Sequence, residues 1–230
     1  VGAPGELVLT IPDGMTFENA AAMSTVFNTS GLALFKSLAL QPTPSDPTKK
    51  SFPVLVYGGS TATGTAAIQL LKLSGLDPVV TCSPRNFNLV KSYGAVAAFD
   101  YRSPSCAADI RAFTKNSLRY ALDCITSQES MKLCYAAIGR AGGKYTALDP
   151  YPEAVAKSRR VVAADWVLGP TMLGKDIAWP SPHGRKGSEE HRKFGKEWTS
   201  VLQRLFNEDR IKSHPLRVIE GDFHDVLQGM

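Results

Sequence analysis

Short apolar runs that alternate with helix-like segments constrain the fold of this chain more than any other feature. Strands are predicted at residues 54–57, 78–82, 97–99, 120–124 and 144–148. Helices are predicted between them, at residues 62–74, 86–93, 106–114 and 129–138. Parallel strands joined by helical crossovers form a sheet that helices cover on both faces. The pattern therefore predicts an α/β fold, a doubly wound parallel sheet of the Rossmann type.

The segments outside this alternation predict fewer elements. Residues 16–38 are predicted as a helix that breaks near residues 28–30, and residues 41–52 as a surface loop. The polar residues 176–196 predict a second loop, which leads into a helix at 197–207. The chain lacks an initiator Met, its strand-like run at 7–11 has no partner strand before it, and residues 222–230 stop inside a helical pattern. We therefore expect both ends to be remnants of a larger structure.

Composition narrows the class of protein. The chain has 230 residues, 43% of them hydrophobic, and a net charge of +5 from 26 basic and 21 acidic residues. No run of five like charges occurs, which argues against a nucleic-acid groove. No apolar run approaches the roughly 18 residues of a membrane helix. We expect a cytoplasmic protein that binds neither nucleic acid nor membrane.

Cysteine and histidine spacing gives no sign of a metal site. The cysteines lie far apart and are predicted to be reduced and mostly buried: Cys82, Cys106, Cys124 and Cys134. The histidines lie in polar stretches without ligand spacing and are predicted to lie at the surface: His183, His191, His214 and His224. The sequence therefore predicts no metal.

A glycine turn follows the first predicted strand. Gly58, Gly59 and Gly64 are interleaved with Ser60, Thr61 and Thr63 at the start of the next helix. A pyrophosphate needs a tight turn, close backbone approach and unpaired amides of this kind. The usual G-x-G-x-x-G is incomplete, so a turn that is tight only for packing stays open as an alternative. A Walker A loop is excluded because no G-K-[ST] follows.

The residues after the second strand bear on the choice of cofactor. An NAD site places Asp or Glu about 20 residues beyond the glycines. Here the strand runs into Ser83, Pro84, Arg85 and Asn86. Ser83 and Asn86 can hydrogen-bond a 2′-phosphate, and Arg85 can supply charge. The sequence favours NADPH over NADH, although Arg85 as a solvated residue at a helix start stays open.

Several stretches together resemble a known family. VLVYGGSTATGTAAIQLLKLSG, TCSPRNFNLVKSYGA, FDYR, RYALDCI and AAIGRAGGKY resemble the medium-chain dehydrogenase/reductases. More closely, they are similar to the trans-acting enoyl reductases that serve fungal highly reducing polyketide synthases. LGPTMLG and SHPLRVIEG continue the resemblance, and IPDGMTFENAAA resembles the family's junction between catalytic and cofactor domains.

The resemblance implies how the chain is divided. Residues 1–45 would be a junction segment from a missing catalytic domain, and 46–165 an NADPH-binding Rossmann domain. Residues 166–230 would form a substrate-side loop, a helix and a partial return to the catalytic domain. The ends would thus be remnants of a truncated GroES-like catalytic domain.

The resemblance also implies site residues. Cofactor-binding residues would be Ser60, Thr61, Ala62 and Thr63 at the diphosphate, Ser83, Pro84, Arg85, Asn86 and Tyr101 at the adenosine 2′-phosphate, and Leu148 and Asp149 near the nicotinamide. Substrate-binding residues would be Thr25, Val26, Phe27, Asn28, Thr29, Ser30, Gly31 and Leu32 with Gly169, Pro170, Thr171, Met172 and Leu173. An exposed tyrosine at a strand end and a helix that is merely packed remain the alternatives for Tyr101 and for residues 25–32.

The implied function is NADPH-dependent reduction of the α,β-double bond of a polyketide enoyl thioester. The partner would be a highly reducing polyketide synthase or a synthase–peptide synthetase hybrid, and the protein a monomer. No residue of the chain stands out as a general acid, so no catalytic residue is predicted. A quinone or alkenal reductase of the same superfamily, or an NADPH-binding module without activity, remain alternatives. A short-chain dehydrogenase is excluded because no tyrosine is followed by Lys four positions later.

Overall fold

A computed structural model describes residues 5–218, 221 and 225 of the chain. The strands are β1 Pro53–Tyr57, β2 Asp77–Cys82, β3 Ala97–Asp100, β4 Tyr120–Asp123, β5 Gly143–Ala147 and β6 Val162–Trp166. The α-helices are α1 Phe17–Gly31, α2 Ala62–Leu73, α3 Phe87–Ser92, α4 Cys106–Phe113, α5 Gln128–Ala137, α6 Glu153–Ser158 and α7 Glu189–Asn207. A π-helical segment, Leu32–Ser37, continues α1, and short 3-10 turns occupy Gly5–Leu7, Pro84–Asn86 and Gly169–Leu173.

The six strands form one parallel sheet in the order β3-β2-β1-β4-β5-β6. This is the order of a doubly wound Rossmann sheet, so the predicted fold class is confirmed. All five predicted strands are present, with ends that agree within about two residues. The strand order reverses between β1 and β4, and ligands of such sheets bind outside the carboxyl ends of the strands at that point.

Helices cover both faces of the sheet, as the apolar strands require. Val54 and Val56 of β1 join a core cluster with α1, α2 and α7, whereas Leu55 joins a second cluster with α4, α5 and α6. Successive side chains of a strand point to opposite faces, so one continuous apolar run supplies both cores.

Helix α1 is continuous, so the predicted break near residues 28–30 is wrong. Polar residues can end a helix by competing for its backbone hydrogen bonds. Here Asn28 instead donates its side-chain amide to the Ser24 carbonyl one turn back, at 3.0 Å. The helix then widens into the π-helical segment, where the Leu38 amide donates to the Ala33 carbonyl at 2.9 Å.

The strand-like run at residues 7–11 forms no strand. Gly5–Leu7 is a 3-10 turn, and the backbone of Thr10 pairs with a side chain instead of a strand. The Thr10 amide donates to Gln203 Oε1 at 2.7 Å, and Gln203 Nε2 donates to the Thr10 carbonyl at 3.0 Å. A glutamine on α7 therefore satisfies backbone groups that the sequence suggested a sheet would satisfy.

Two elements in the second half of the chain differ from the prediction. Strand β6 was not predicted, because this edge strand buries only Val162 fully and its remaining residues are partly or largely exposed. Helix α7 begins at Glu189, eight residues before the predicted start. Ser188 caps it by accepting from the His191 amide at 3.2 Å, and two glutamates occupy its first turn.

Within the described residues, no helix combines the length and hydropathy needed to span a bilayer. The loop predicted at residues 41–52 is confirmed. The helical pattern at residues 222–230 lies outside the described residues, Asp225 excepted.

Candidate functional site

The carboxyl edge of the sheet gathers the residues predicted to bind a cofactor. The register places Tyr57, the last residue of β1, between Thr81 of β2 and Asp123 of β4. It also places Cys82 beside Asp100 at the ends of β2 and β3. The loops that follow these strands therefore form one continuous rim.

The glycine turn after β1 is tight against the start of α2. Gly58 has a φ of +76°, a conformation that favours glycine. The amides of Gly58 and Gly59 donate to the Thr81 carbonyl at 3.1 and 3.0 Å, which fixes the turn to β2. A Cβ at Gly64 would lie 2.5 Å from the Gly58 carbonyl oxygen. Glycine at position 64 therefore lets the helix approach the turn closely.

Unpaired backbone donors lie at the start of α2. Thr61 caps the helix, with its Oγ1 accepting from the Gly64 amide at 3.0 Å. Within the described part of the chain, the amides of Ser60, Ala62 and Thr63 have no acceptor. The four residues 60–63 are only partly buried, so a ligand can reach them. Free amides at the positive end of a helix dipole are the usual cradle for a phosphate group.

A second set of predicted residues follows β2. Ser83 precedes the 3-10 turn Pro84–Asn86 with extended backbone. Arg85 is exposed, and no carboxylate of residues 5–218 pairs with its guanidinium. The guanidinium is therefore accessible to an anionic ligand, and its contact with a 2′-phosphate remains a prediction.

A carboxylate that the sequence did not indicate lies beside this turn. Asp100 ends β3 next to Cys82, and burial, followed by the charge of Asp100, raises the pKa of that thiol. The Asp100 carboxylate is paired with Arg102, whose Nε lies 3.2 Å from Oδ1 and whose backbone amide donates to it at 3.1 Å. Hydrogen bonds from Arg102 hold the pKa of Asp100 below its usual value. The neighbouring Arg102 thus offsets a charge that would otherwise repel a phosphate.

Tyr101 lies at the same end of the sheet, in contact with the ring of Tyr57 and the guanidinium of Arg102. It is 40% exposed, its ring centroid is 6.1 Å from that of Tyr57, and the Arg102 guanidinium lies 5.7 Å from its centroid. The side chain is thus held at the edge rather than free in solvent. Its predicted cofactor contact remains a prediction.

A buried carboxylate at the end of β4 shapes the neighbouring loop, and the sequence analysis did not single it out. Asp123 is fully buried, and its Oδ1 accepts from the amides of Ile125 and Thr126 at 2.9 and 3.0 Å. Its Oδ2 accepts from Ser130 Oγ at 2.6 Å and from the Tyr145 hydroxyl at 2.8 Å. Four hydrogen bonds compensate the burial of this charge. An acidic residue that closes an apolar strand, as in YALD, was the available signal.

The residues after β5 contact a loop that is distant in sequence. The Leu148 amide donates to Thr126 Oγ1 at 3.3 Å, and Asp149 Oδ1 lies 2.8 Å from His183 Nε2. The described histidines, His183, His191 and His214, are all partly exposed, with the His183 side chain at 38%, and His224 lies outside the described residues. Burial lowers the pKa of His191 and of His214.

The two predicted substrate segments meet at one point. A Cβ at Gly169 would lie 3.6 Å from Thr29 Oγ1, and Ser30 Oγ donates to the Thr63 carbonyl of the glycine turn at 3.1 Å. Several residues of these segments serve as core: Phe27, Ser30, Gly31, Leu32, Thr171 and Met172 are buried. The partly or fully exposed members are Thr25, Val26, Asn28, Thr29, Gly169, Pro170 and Leu173. A substrate could reach only the latter group directly.

The cysteines are free, and three of the four are buried. Burial raises the pKa of Cys82 and of Cys106 to about 11, and raises the pKa of Cys124 and Cys134 as well. These thiols are therefore protonated at neutral pH and are not activated nucleophiles.

Comparisons with known proteins agree with this architecture. Residues 62–148 match the family model described as zinc-binding dehydrogenase. A trans-enoyl reductase of Macrophomina phaseolina, mpsG, is 59% identical over 235 residues, which cover 100% of this chain and 66% of that relative. The solved CurK enoyl reductase superposes with a TM-score of 0.74 at 19% identity, over 93% of this chain and 58% of that one. A mycobacterial protein complexed with NADPH gives a TM-score of 0.65 at 18% identity, over 91% of this chain and 59% of that one.

The strand order and the glycine turn define a Rossmann domain of the dehydrogenase type. The similarity to fungal sequences narrows this class, since relatives at 50–59% identity are named trans-enoyl reductases. The chain belongs to the fungal trans-enoyl reductases, within the medium-chain dehydrogenase/reductase superfamily. It spans 63–66% of the length of these relatives.

Zinc does not fit the part of the chain that the structure describes. No group of three His, Cys, Asp or Glu side chains in residues 5–218 could hold a metal ion. Residues 62–148, which match the model described as zinc-binding, run from α2 to just after β5.

Proposed function

We propose that this chain forms the NADPH-binding part of an enoyl reductase that acts in trans on a polyketide enoyl thioester. The observation that carries the proposal is the set of unpaired amides at the start of α2, beside a turn that only glycine permits. The names of the fungal relatives and the fold shared with an NADPH complex support it.

In this proposal the chain's own residues bind and orient the cofactor. The amides of Ser60, Ala62 and Thr63 would hold the diphosphate, and Arg85 with Ser83 and Asn86 would hold the 2′-phosphate. When bound, NADPH would supply the hydride for the β-carbon of the enoyl group. The half-buried Thr29 and Gly169, which meet beside the turn, would line the wall that positions the acyl chain.

The partner in this proposal is a highly reducing polyketide synthase, or a synthase–peptide synthetase hybrid, in the cytoplasm. Such a synthase would present the enoyl group as a thioester, and the reductase would act as a monomer. A quinone or alkenal reductase would use the same cofactor site and differ in substrate preference.

Two measurements on the purified protein test the proposal. Titration with NADPH and NADH should show tighter binding of NADPH, and Arg85→Gln should reduce this preference. Turnover of NADPH with a crotonyl or longer enoyl thioester, but not with a small quinone, would support the enoyl reductase. Equal affinity for the two nicotinamides would contradict the cofactor assignment, and quinone turnover alone would favour the alternative.

A further inference from the structure

A histidine and an aspartate that are 34 positions apart meet at the carboxyl edge of the sheet. His183 Nε2 lies 2.8 Å from Asp149 Oδ1, and Asp149 follows the end of β5 by two residues. The His183 side chain is 38% exposed and that of Asp149 is 63% exposed. Both groups are therefore open to solvent and to a ligand at this edge.

The His183 ring is held on a second side by Trp166, the last residue of β6. The two rings meet edge to face, with centroids 5.6 Å apart and an interplanar angle of 80°. Arg185 lies over the same indole, its guanidinium carbon 4.0 Å from the ring centroid. Paired backbone hydrogen bonds between Ile177 and Arg185, at 2.8 and 3.1 Å, close the hairpin that carries His183. The imidazole thus has a defined orientation.

A chain of contacts through Ile125, Thr126 and Leu148 connects this pair to the glycine turn. A Cβ at Gly58 would lie 2.9 Å from Ile125 Cγ1, which places the loop after β4 against the turn. Thr126 of that loop bonds the Leu148 amide at 3.3 Å, and Leu148 adjoins Asp149. Because β5 lies two strands from β1, Asp149 is about 10 Å from the turn along the sheet edge. Trp166, beneath His183, lies three residues before Gly169 of the substrate segment.

We propose that His183 is the proton donor of the reduction and that Asp149 is its positioning residue. This inference rests on the proposed function. Since Nε2 engages Asp149, Nδ1 is the nitrogen left to face the substrate. After a hydride and its two electrons reach the β-carbon, the Nδ1–H bond breaks and a C–H bond forms at the α-carbon. The electron pair stays on Nδ1, and the imidazole is reprotonated from solvent through its exposed edge.

The charges around His183 suit this role. The Asp149 carboxylate lies within hydrogen-bond distance of the imidazole, as the acidic member of many catalytic pairs does. Arg185 belongs to the same hairpin, but its guanidinium is directed onto Trp166 and donates to the Pro182 and Gly184 carbonyls. A purely structural pair would pin the hairpin equally well, so the test must separate the two roles.

The test uses the purified protein, NADPH and crotonyl-pantetheine. His183→Gln, which keeps a polar side chain without a transferable proton, should lower kcat about 100-fold and leave KM within about twofold. Asp149→Asn should lower kcat less, since the amide can still accept from the imidazole. Lys157→Gln, which breaks the exposed pair of Lys157 with Glu153 at 2.7 Å, is the matched control and should change neither constant.

Chemical rescue distinguishes a proton donor from a residue that only holds the hairpin in place. In His183→Ala, added imidazole should restore turnover in proportion to its protonated fraction, which a structural role does not predict. Independently of turnover, bound crotonyl-pantetheine should slow carbethoxylation of His183 by diethyl pyrocarbonate, read by mass spectrometry, without slowing that of His214. Unchanged kcat in His183→Gln, absence of rescue, or no protection of His183 would each overturn the proposal. If the unmutated protein does not oxidise NADPH with the thioester, the proposed function fails first.

Discussion

Gly31 lies directly against the indole of Trp198, so that a Cβ at Gly31 would lie 2.1 Å from the ring atom Cε2. The indole Nε1 donates to the Phe27 carbonyl at 3.2 Å, which links α7 to α1 within the core cluster that these two helices share with α2. Gly31→Ala should therefore destabilise the protein by about 1–3 kcal/mol through overpacking, measured by urea denaturation.

Gly5→Ala is the control for this change, because a Cβ at the exposed Gly5 meets nothing within 4 Å. Trp198→Phe should cost less in the Gly31→Ala background than in the unmutated protein, since the smaller ring relieves the contact. Strict additivity of the two changes would show that this contact does not limit position 31.

Gly64→Ala should impair cofactor binding more than stability. The new Cβ would lie 2.5 Å from the Gly58 carbonyl oxygen and 2.6 Å from Gly59 Cα, both of them backbone atoms that cannot rotate away. The helix start must then move from the turn, so we expect the NADPH dissociation constant to rise at least tenfold by calorimetric titration. If Gly64→Ala bound NADPH as tightly as Gly5→Ala does, the glycine turn would not be part of the cofactor site.

Asp123→Ala should destabilise the protein by at least about 3 kcal/mol, because two amides and two hydroxyls lose a buried acceptor. Asp123→Asn keeps Oδ1 as an acceptor and should cost less. Thermal unfolding of the pair compares them. A loss as large in the asparagine variant would mean that the Oδ1 hydrogen bonds contribute little, and that the charge or the acceptor at Oδ2 holds the loop.

Arg102→Gln should weaken NADPH binding about tenfold, because it leaves the Asp100 carboxylate unpaired beside the 2′-phosphate site. NADH binding should change less, and added salt should reduce the difference. Arg119→Gln removes the same charge just before β4, at the opposite edge, and serves as the control. The double variant Asp100→Asn with Arg102→Gln should recover part of the affinity, and failure to recover it would argue that Arg102 acts by direct contact alone.

Alkaline pH should destabilise the folded state through its cysteines. The pKa of Cys82 and of Cys106 is raised to about 11 from 9.0, so the unfolded chain loses these protons first. Stability should be complete below about pH 9 and fall as the pH rises towards 11. Urea denaturation between pH 8 and 11 measures the slope, and replacing Cys82 and Cys106 by alanine should reduce it, leaving the part that comes from Cys124 and Cys134. An unchanged slope would assign the loss to other groups, such as the buried tyrosines.

The sheet was predictable from the sequence because its central strands are continuous apolar runs, which leave few other arrangements. Strand β6 escaped prediction because an edge strand is half solvated, so its pattern is weak. The start of α7 was missed although Ser188 and the two glutamates after it carry an ordinary helix-start signal. The hydrophobic pattern of a segment shows how far that segment is buried. The errors at β6 and at the start of α7 occur where the burial is only partial.

Site residues divide in the same way. The glycine turn and residues 83–86 could be singled out as candidates because tight turns and helix starts leave a local pattern in the sequence. Contacts between His183 and Asp149, and between Asp100 and Cys82, depend on how separate loops meet at the sheet edge. Such contacts leave no spacing in the sequence, and only the assembled fold shows them.

The π-helical segment Leu32–Ser37 sets the rotation between two sets of contacts that one helix makes. A π-turn holds one residue more than an α-turn, so everything after it is rotated by about 100° relative to a regular helix. Just before the segment, Gly31 meets Trp198; at its last residue, Ser37 reaches Thr146 at 2.8 Å and Asp165 at 2.5 Å. Deleting a single residue here would leave the remaining side chains chemically intact and turn one of the two faces away from its partners. The number of residues in this segment thus determines these contacts as much as the identity of any residue does.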